Sequence, residues 1–240
     1  MKFLISEKNK VIFGWSTKCG CSHVKRLFHY LENDIVIDRV HGLKDTNISV
    51  DTKKYTTIIF VRNPYKRLVS GFLDKYGKNG EFRNRWPTKE IFFRDFVDKL
   101  LKQGDWKPPH LPEQMAQQGR VFLVDHHHFT PQTTEYFNKD KIIQSKCLKI
   151  YDIENIDYDY ISNLYNNKNL NEILNYKEPN KRKKYDEDLN ELVCDINMDD
   201  YYLKNIDYKY FYDQDIKNKV YNFYKSDFAF LKCQGFNYDI

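Results

Sequence analysis

The sequence predicts an α/β protein: a parallel sheet flanked by helices, followed by a helical C-terminal part. Two observations carry this. Short apolar runs with strand character alternate with amphipathic helical patterns through the first half of the chain, and such alternation implies parallel strands whose C-terminal ends face a ligand. The C-terminal third is helical in pattern and ends in "IKNKVYNFYKSDFAFL" (216–231).

The elements follow in order. "KVIFGWS" (10–16) reads as a buried strand that can pair with "KFLIS" before it. Val24, Leu27, Phe28 and Leu31 then fall at the i, i+3, i+4, i+7 spacing of an amphipathic helix. "DIVID" (34–38) reads as a strand, and so does "YTTIIFV" (55–61). The next helix opens at Asn63-Pro64, a capping residue followed by proline at the first helical position. Tyr65, Leu68, Val69, Phe72 and Tyr76 share one of its faces, which predicts packing on the sheet, while Asn63, Lys66, Arg67, Ser70 and Asp74 share the other. "TKEIFFRDFVDKLL" (88–101) is a further helix, "QGDWKPPHLPEQ" (103–114) a proline-rich loop and "KCLKIYDI" (146–153) another strand.

Length and composition set the bounds. At 240 residues the chain suits one domain over 1–240, and 19 Tyr with 17 Phe supply a large core. A mean hydropathy of −0.76 and the absence of a long apolar run argue against a membrane span. The N-terminal "MKFLISEKNK" is too short in apolar residues for a secretory segment, so no membrane anchor is expected. A net charge of +5 suits an anionic ligand but not a dedicated nucleic-acid binder. Five scattered cysteines argue against a disulfide framework and for a reducing compartment. The expected location is intracellular and cytoplasmic.

"GWSTKCGCSHVKRLFHYL" (14–31) poses the main chemical question. A metal site needs further ligands beside Cys19 and Cys21, and a redox pair prefers C-x-x-C at a helix start, not C-x-C. Two small residues in a tight turn account for the cysteines alone. An anion cradle accounts for more: a glycine-containing loop between strand and helix turns backbone N–H groups toward one point, with Lys18 and the Ser22 hydroxyl beside them. The loop is no Walker motif, because its lysine precedes the glycine.

"FVRNPYKRLVSGF" (60–72) is the second constellation. Arg62 falls at the C-terminal end of a strand, and Arg62 with Ser70 can converge on one phosphate. A solvated basic helix face is the plainer alternative. Two anion-competent loops at strand ends suggest a ligand with phosphate groups at both ends.

Together, "TKCGCSHVKRLF" and "FVRNPYKRLVSGFLDKY" resemble the paired signature motifs of sulfotransferases that use 3′-phosphoadenylyl sulfate (PAPS), most nearly those of the carbohydrate branch. "HFTPQTTEYF" (128–137) resembles a His-aromatic-x-Pro-Gln segment of that branch, and "YNFYKSDFAFL" is similar to its C-terminal helix. The resemblance implies a P-loop-NTPase-like sheet and PAPS as donor, with adenosine 3′,5′-bisphosphate as product. It implies that Lys18 is the loop lysine and that Cys19, Gly20, Cys21 and Ser22 form the backbone cradle of the 5′-phosphosulfate side, with His23 a cofactor-binding residue standing where cytosolic members carry an adenine-stacking Trp. Arg62 and Ser70 become the 3′-phosphate ligands. It also raises His41, a basic residue between the two motifs, to candidate catalytic base beside Lys18.

Three calls remain. In "DHHHF" (125–129) adjacent histidines cannot all face one ion, so a polar loop near the acceptor is expected, with His128 as acceptor-binding residue and rival base. "NKRKKYDED" (180–188) is a solvated charge run, or else a clamp on the 3′-phosphate through Arg182. No metal is expected. The implied reaction moves a sulfuryl group to a hydroxyl, or an amine, of an acceptor that is a glycan. A P-loop-type kinase and a non-catalytic nucleotide or nucleic-acid module are the alternatives.

Overall fold

The computed structural model describes residues 1–40, 44, 46, 48, 50–77, 79–102, 126–133, 144–176, 191–201 and 206–239. The chain divides into two compact units, Met1–Asn63 with Gln132–Lys181, and Pro64–Pro131 with Arg182–Ile240.

The first unit carries the sheet. Its strands β1 (Lys2–Ser6), β2 (Val11–Trp15), β3 (Thr56–Val61) and β4 (Cys147–Asp152) lie side by side in sequence order. β1 and β2 form an antiparallel hairpin, whereas β2–β3 and β3–β4 are parallel. The fold is therefore mixed α/β with a mostly parallel, P-loop-like sheet. The apolar runs that predicted β2 and β3 are buried along their lengths, as strands covered on both faces must be. Gly14 sits where a Cβ would come within 2.6 Å of Ile59 Cδ1, so only glycine lets β2 lie this close to its neighbours' side chains.

Helix α1 (Cys21–Asn33) crosses from β2 and covers the sheet. Val24, Leu27 and Leu31 bury against Val11, Phe13, Trp15, Ile58 and Phe60, joined by Ile161 of α5 (Tyr158–Leu164) and Ile173 of α6 (Asn171–Asn175). Residues 34–38 do not form the strand that "DIVID" predicts. The Arg26 guanidinium takes the carbonyls of Ile37 and Asp38, and the Ile35 carbonyl meets His29 Nδ1, so these groups serve side chains instead of a ladder.

The second unit holds α2 (Pro64–Tyr76), α3 (Phe93–Lys102), the single turn α4 (His126–Phe129), α7 (Met198–Tyr201), α8 (Gln214–Phe223) and α9 (Lys225–Cys233). Pro64 opens α2 as predicted. The apolar face of α2 is buried in this unit's own aromatic core, which includes Phe93, Phe96, Phe129, Ile216, Val220 and Tyr224. Phe72 meets Phe93 edge to face at 5.1 Å.

Three expectations change here. Helix α3 begins at Phe93 instead of residue 88, because Ile91 N–H bonds Asn197 Oδ1 and the Ile91 carbonyl takes the Met198 N–H. The C-terminal helical run is broken at Tyr224, whose hydroxyl donates to the Phe129 carbonyl at 2.7 Å. Arg67 is no solvated helix-face charge: it is 1% exposed. Arg67, Tyr224 and Asp227 are all buried in this unit; burial pushes the Tyr224 hydroxyl up, Arg67 pulls it down and Asp227 adds to the rise.

Candidate anion site at the C-terminal edge of the sheet

β2 ends at Trp15 and the chain turns at once. Cys19 N–H donates to the Ser16 carbonyl at 3.1 Å, closing a four-residue turn in which Lys18 has φ 66°. Gly20 follows at φ 69°, ψ 29°, and its carbonyl accepts the first helical bond, from Val24 N–H at 2.9 Å. A Cβ on Gly20 would lie 2.4 Å from Ile153 Cδ1 and Cγ1, so glycine is required by conformation and by space. No side chain caps α1 and no acidic residue lies in its first turn. The N–H groups of Cys21, Ser22 and His23 thus begin a helix whose positive end is not neutralised from within.

β3 delivers the second loop. Arg62 directly follows Val61, and its Nη1 donates to the Lys18 carbonyl at 3.3 Å, so the two loops meet. The Arg62 Nε is buried and has no hydrogen-bond partner. An unsatisfied buried guanidinium N–H is costly unless a ligand takes it.

Gln132 joins both loops. Its Oε1 accepts from Arg62 N–H at 3.0 Å and from the Cys19 thiol at 2.9 Å, and its Nε2 donates to the Arg62 carbonyl at 2.8 Å. The Ser16 hydroxyl donates to the Gln132 carbonyl at 3.4 Å. On the helix side, His23 Nε2 and the Tyr158 hydroxyl pair at 2.9 Å, with the rings edge to face at 6.0 Å. His23 is thereby held by an aromatic partner.

Of the predicted site residues, the structure brings together Lys18, Cys19, Gly20, Cys21, Ser22, His23 and Arg62 at one edge of the first unit. Ser70, on α2, and His128, on α4, are half-buried residues of the second unit. "DHHHF" includes a helical turn instead of forming only a loop. His41 and Arg182 lie outside the described residues, as do the proline-rich loop 103–114 and the charge run 180–188. Gln132 and Tyr158 escaped the sequence reading. Gln132 stood in a quoted motif, but nothing local tied it to Arg62.

All five cysteines are free thiols. In the second unit, Cys194, Asp195 and Asp213 cluster at metal-ligand distances, but Arg94 bonds both carboxylates. Burial and the neighbouring Asp195 push the Cys194 thiol up to about 11. Among the described residues, no helix is long and apolar enough to cross a membrane.

Comparison with known proteins adds the family. The sulfotransferase family model matches residues 1–237. Human carbohydrate sulfotransferase 10 is 26% identical over 133 residues, covering 41% of this chain and 37% of the relative. Rat carbohydrate sulfotransferase 11 is 26% identical over 166 residues, covering 60% of this chain and 44% of the relative. The matches thus span less than half the length of these relatives. No solved structure matches. With two loops meeting at the C-terminal edge of a mostly parallel sheet and a family match over nearly its whole length, the chain belongs to the sulfotransferase family.

Proposed function

We propose that the chain transfers a sulfuryl group from PAPS to a hydroxyl, or less readily an amine, of a carbohydrate acceptor, as one catalytic domain comprising both units. The observation that carries this reading is the junction of the two loops: Arg62 Nη1 reaches the Lys18 carbonyl while its buried Nε lacks a partner. That donor set suits an anionic nucleotide with phosphates at two points. The names of the relatives support the carbohydrate acceptor.

When bound, PAPS supplies the sulfuryl group and departs as adenosine 3′,5′-bisphosphate. This chain's residues do the rest. The first-turn N–H groups of Cys21, Ser22 and His23, with the Ser22 hydroxyl, hold the 5′-phosphosulfate side. Gly20 lets the backbone approach, and Cys19 fixes the loop through its thiol. Lys18 places a full positive charge where negative charge grows on the leaving phosphate. Arg62 and Ser70 bind the 3′-phosphate, with Arg182 closing over it. His41 takes the proton of the acceptor hydroxyl, since an imidazole is poised to do so near neutral pH. His128 contacts the acceptor. In-line displacement of this kind relies on positioning and electrostatics, and the proposal needs no metal.

Transfer of radiolabelled sulfate from PAPS to a panel of glycans and small alcohols tests the proposal. Labelled glycan supports it. Phosphate transfer from ATP–Mg²⁺ would establish the kinase alternative, and tight bisphosphate binding without turnover on any acceptor would establish a silent binding module.

A further inference from the structure

Gln132 has an unusual position. It is 2% exposed, and both its carboxamide and its backbone carbonyl are spent on the two anion loops. Its amide faces the peptide groups of Arg62 as a strand neighbour would, accepting from the Arg62 N–H and donating to the Arg62 carbonyl. Fixing both backbone groups of one residue fixes the direction in which its side chain leaves the chain. The same Oε1 takes the Cys19 thiol proton, one residue from Lys18. In so buried a place the low local dielectric strengthens these bonds.

We infer that Gln132 is a positioning residue: it locks Arg62 and the Lys18–Gly20 loop in one arrangement, so that the two ends of the nucleotide are bound as a unit. The inference rests on the nucleotide reading above. It assigns a role to the glutamine of the "TPQ" stretch, where the sequence drew attention only to His128. The guanidinium of Arg62 keeps just one bond to the loop, to the Lys18 carbonyl, and that bond cannot orient it alone. Without Gln132 the arginine would sample several directions, and the ligand would have to order it at each binding event.

The test is a cycle of bisphosphate affinities by titration calorimetry, using the full chain. Gln132→Met, close to Gln in volume but unable to make these bonds, should weaken adenosine 3′,5′-bisphosphate binding about 10–100-fold, the usual effect of losing an orienting partner. In an Arg62→Ala background the same change should cost clearly less than in the wild-type chain, because one of the two groups it orients is gone and only its hold on the Lys18–Gly20 loop remains. If Gln132→Met does not fold, Gln132→Glu carries the test. It keeps the shape and the acceptor oxygen but loses the Nε2 donor, and should show a smaller loss that again shrinks with Arg62→Ala. Equal losses in both backgrounds would mean a merely structural role and overturn the inference. So would unchanged affinity in a folded Gln132→Met. A wild-type chain with no affinity for the bisphosphate would overturn the nucleotide reading itself, and this inference with it.

Discussion

Replacing Gly20 with alanine probes the loop most sharply. The residue sits at φ 69°, ψ 29°, where a Cβ costs about 1–2 kcal/mol by its contact with the backbone. The same Cβ would lie 2.4 Å from two carbons of Ile153, and overpacking of this kind costs about 1–3 kcal/mol. Gly20→Ala should therefore lose about 2–5 kcal/mol, lowering Tm by roughly 4–20 °C for a chain of this size. The two causes separate in a cycle. In an Ile153→Ala background the overlap with Cδ1 and Cγ1 disappears while the backbone strain stays, so Gly20→Ala should then cost only about 1–2 kcal/mol. Urea unfolding of the four proteins, followed by circular dichroism, measures both numbers. A Gly20→Ala cost below about 0.5 kcal/mol would refute the account of this loop. A cost that Ile153→Ala leaves unchanged would refute the steric part.

Further predictions concern charge and chemistry. Arg94 bonds Asp195 and Asp213, and Asp213 also accepts the Ile216 N–H at the start of α8. The bond to Arg94 holds the Asp195 carboxyl below its usual range; at Asp213 burial works upward, but the Ile216 N–H and Arg94 outweigh it. Stability from depressed carboxylates is complete above the unfolded Asp value of about 3.9 and is lost as pH falls through the folded values. Arg94→Met should thus cost about 1–2 kcal/mol at pH 7, with the gap to wild type closing below about pH 4 in denaturation curves. Lys18→Ala should lower kcat by about 10²–10³ with modest effect on bisphosphate affinity, whereas Arg62→Ala and Ser70→Ala should weaken that affinity; steady-state kinetics with calorimetry separates them. His41→Ala should cost roughly 10²–10⁴ in kcat and remove the acidic limb of the pH–rate profile, while His128→Ala should act mostly on acceptor KM. The reverse pattern would exchange their roles.

Much of this architecture was legible because local pattern and tertiary demand agree. "VIFGW" and the "IIFV" of β3 are continuous runs without polar side chains because both faces of β2 and β3 are covered, and the chain announces α2 with Asn63-Pro64. The loop after β2 was legible for a related reason: its tight turn from buried strand to helix needs Gly20 and leaves the first-turn N–H groups of α1 without a side-chain cap.

What was not legible depends on partners far away in sequence. "DIVID" has strand composition, yet Arg26 claims its carbonyls from α1. Residues 88–92 have helical pattern, yet Ile91 bonds to the backbone and side chain of the segment near 197. Arg67 reads as a surface charge because its neighbour Lys66 looks alike and nothing local reports Asp227 and Tyr224. Gln132 meets Cys19 and Arg62 across separations of 113 and 70 residues, beyond any local signal.

The most direct test of the central claim is the thermal stability of the chain with adenosine 3′,5′-bisphosphate in EDTA, set beside ATP with Mg²⁺. Ligand at ~100 times Kd should add about 2.7 kcal/mol of apparent stability, and chelation should leave that gain intact because Lys18, Arg62 and the start of α1 supply the positive charge. Arg62→Ala should shrink the gain at the same concentration. Stabilisation by ATP–Mg²⁺ with none from the bisphosphate would contradict the account.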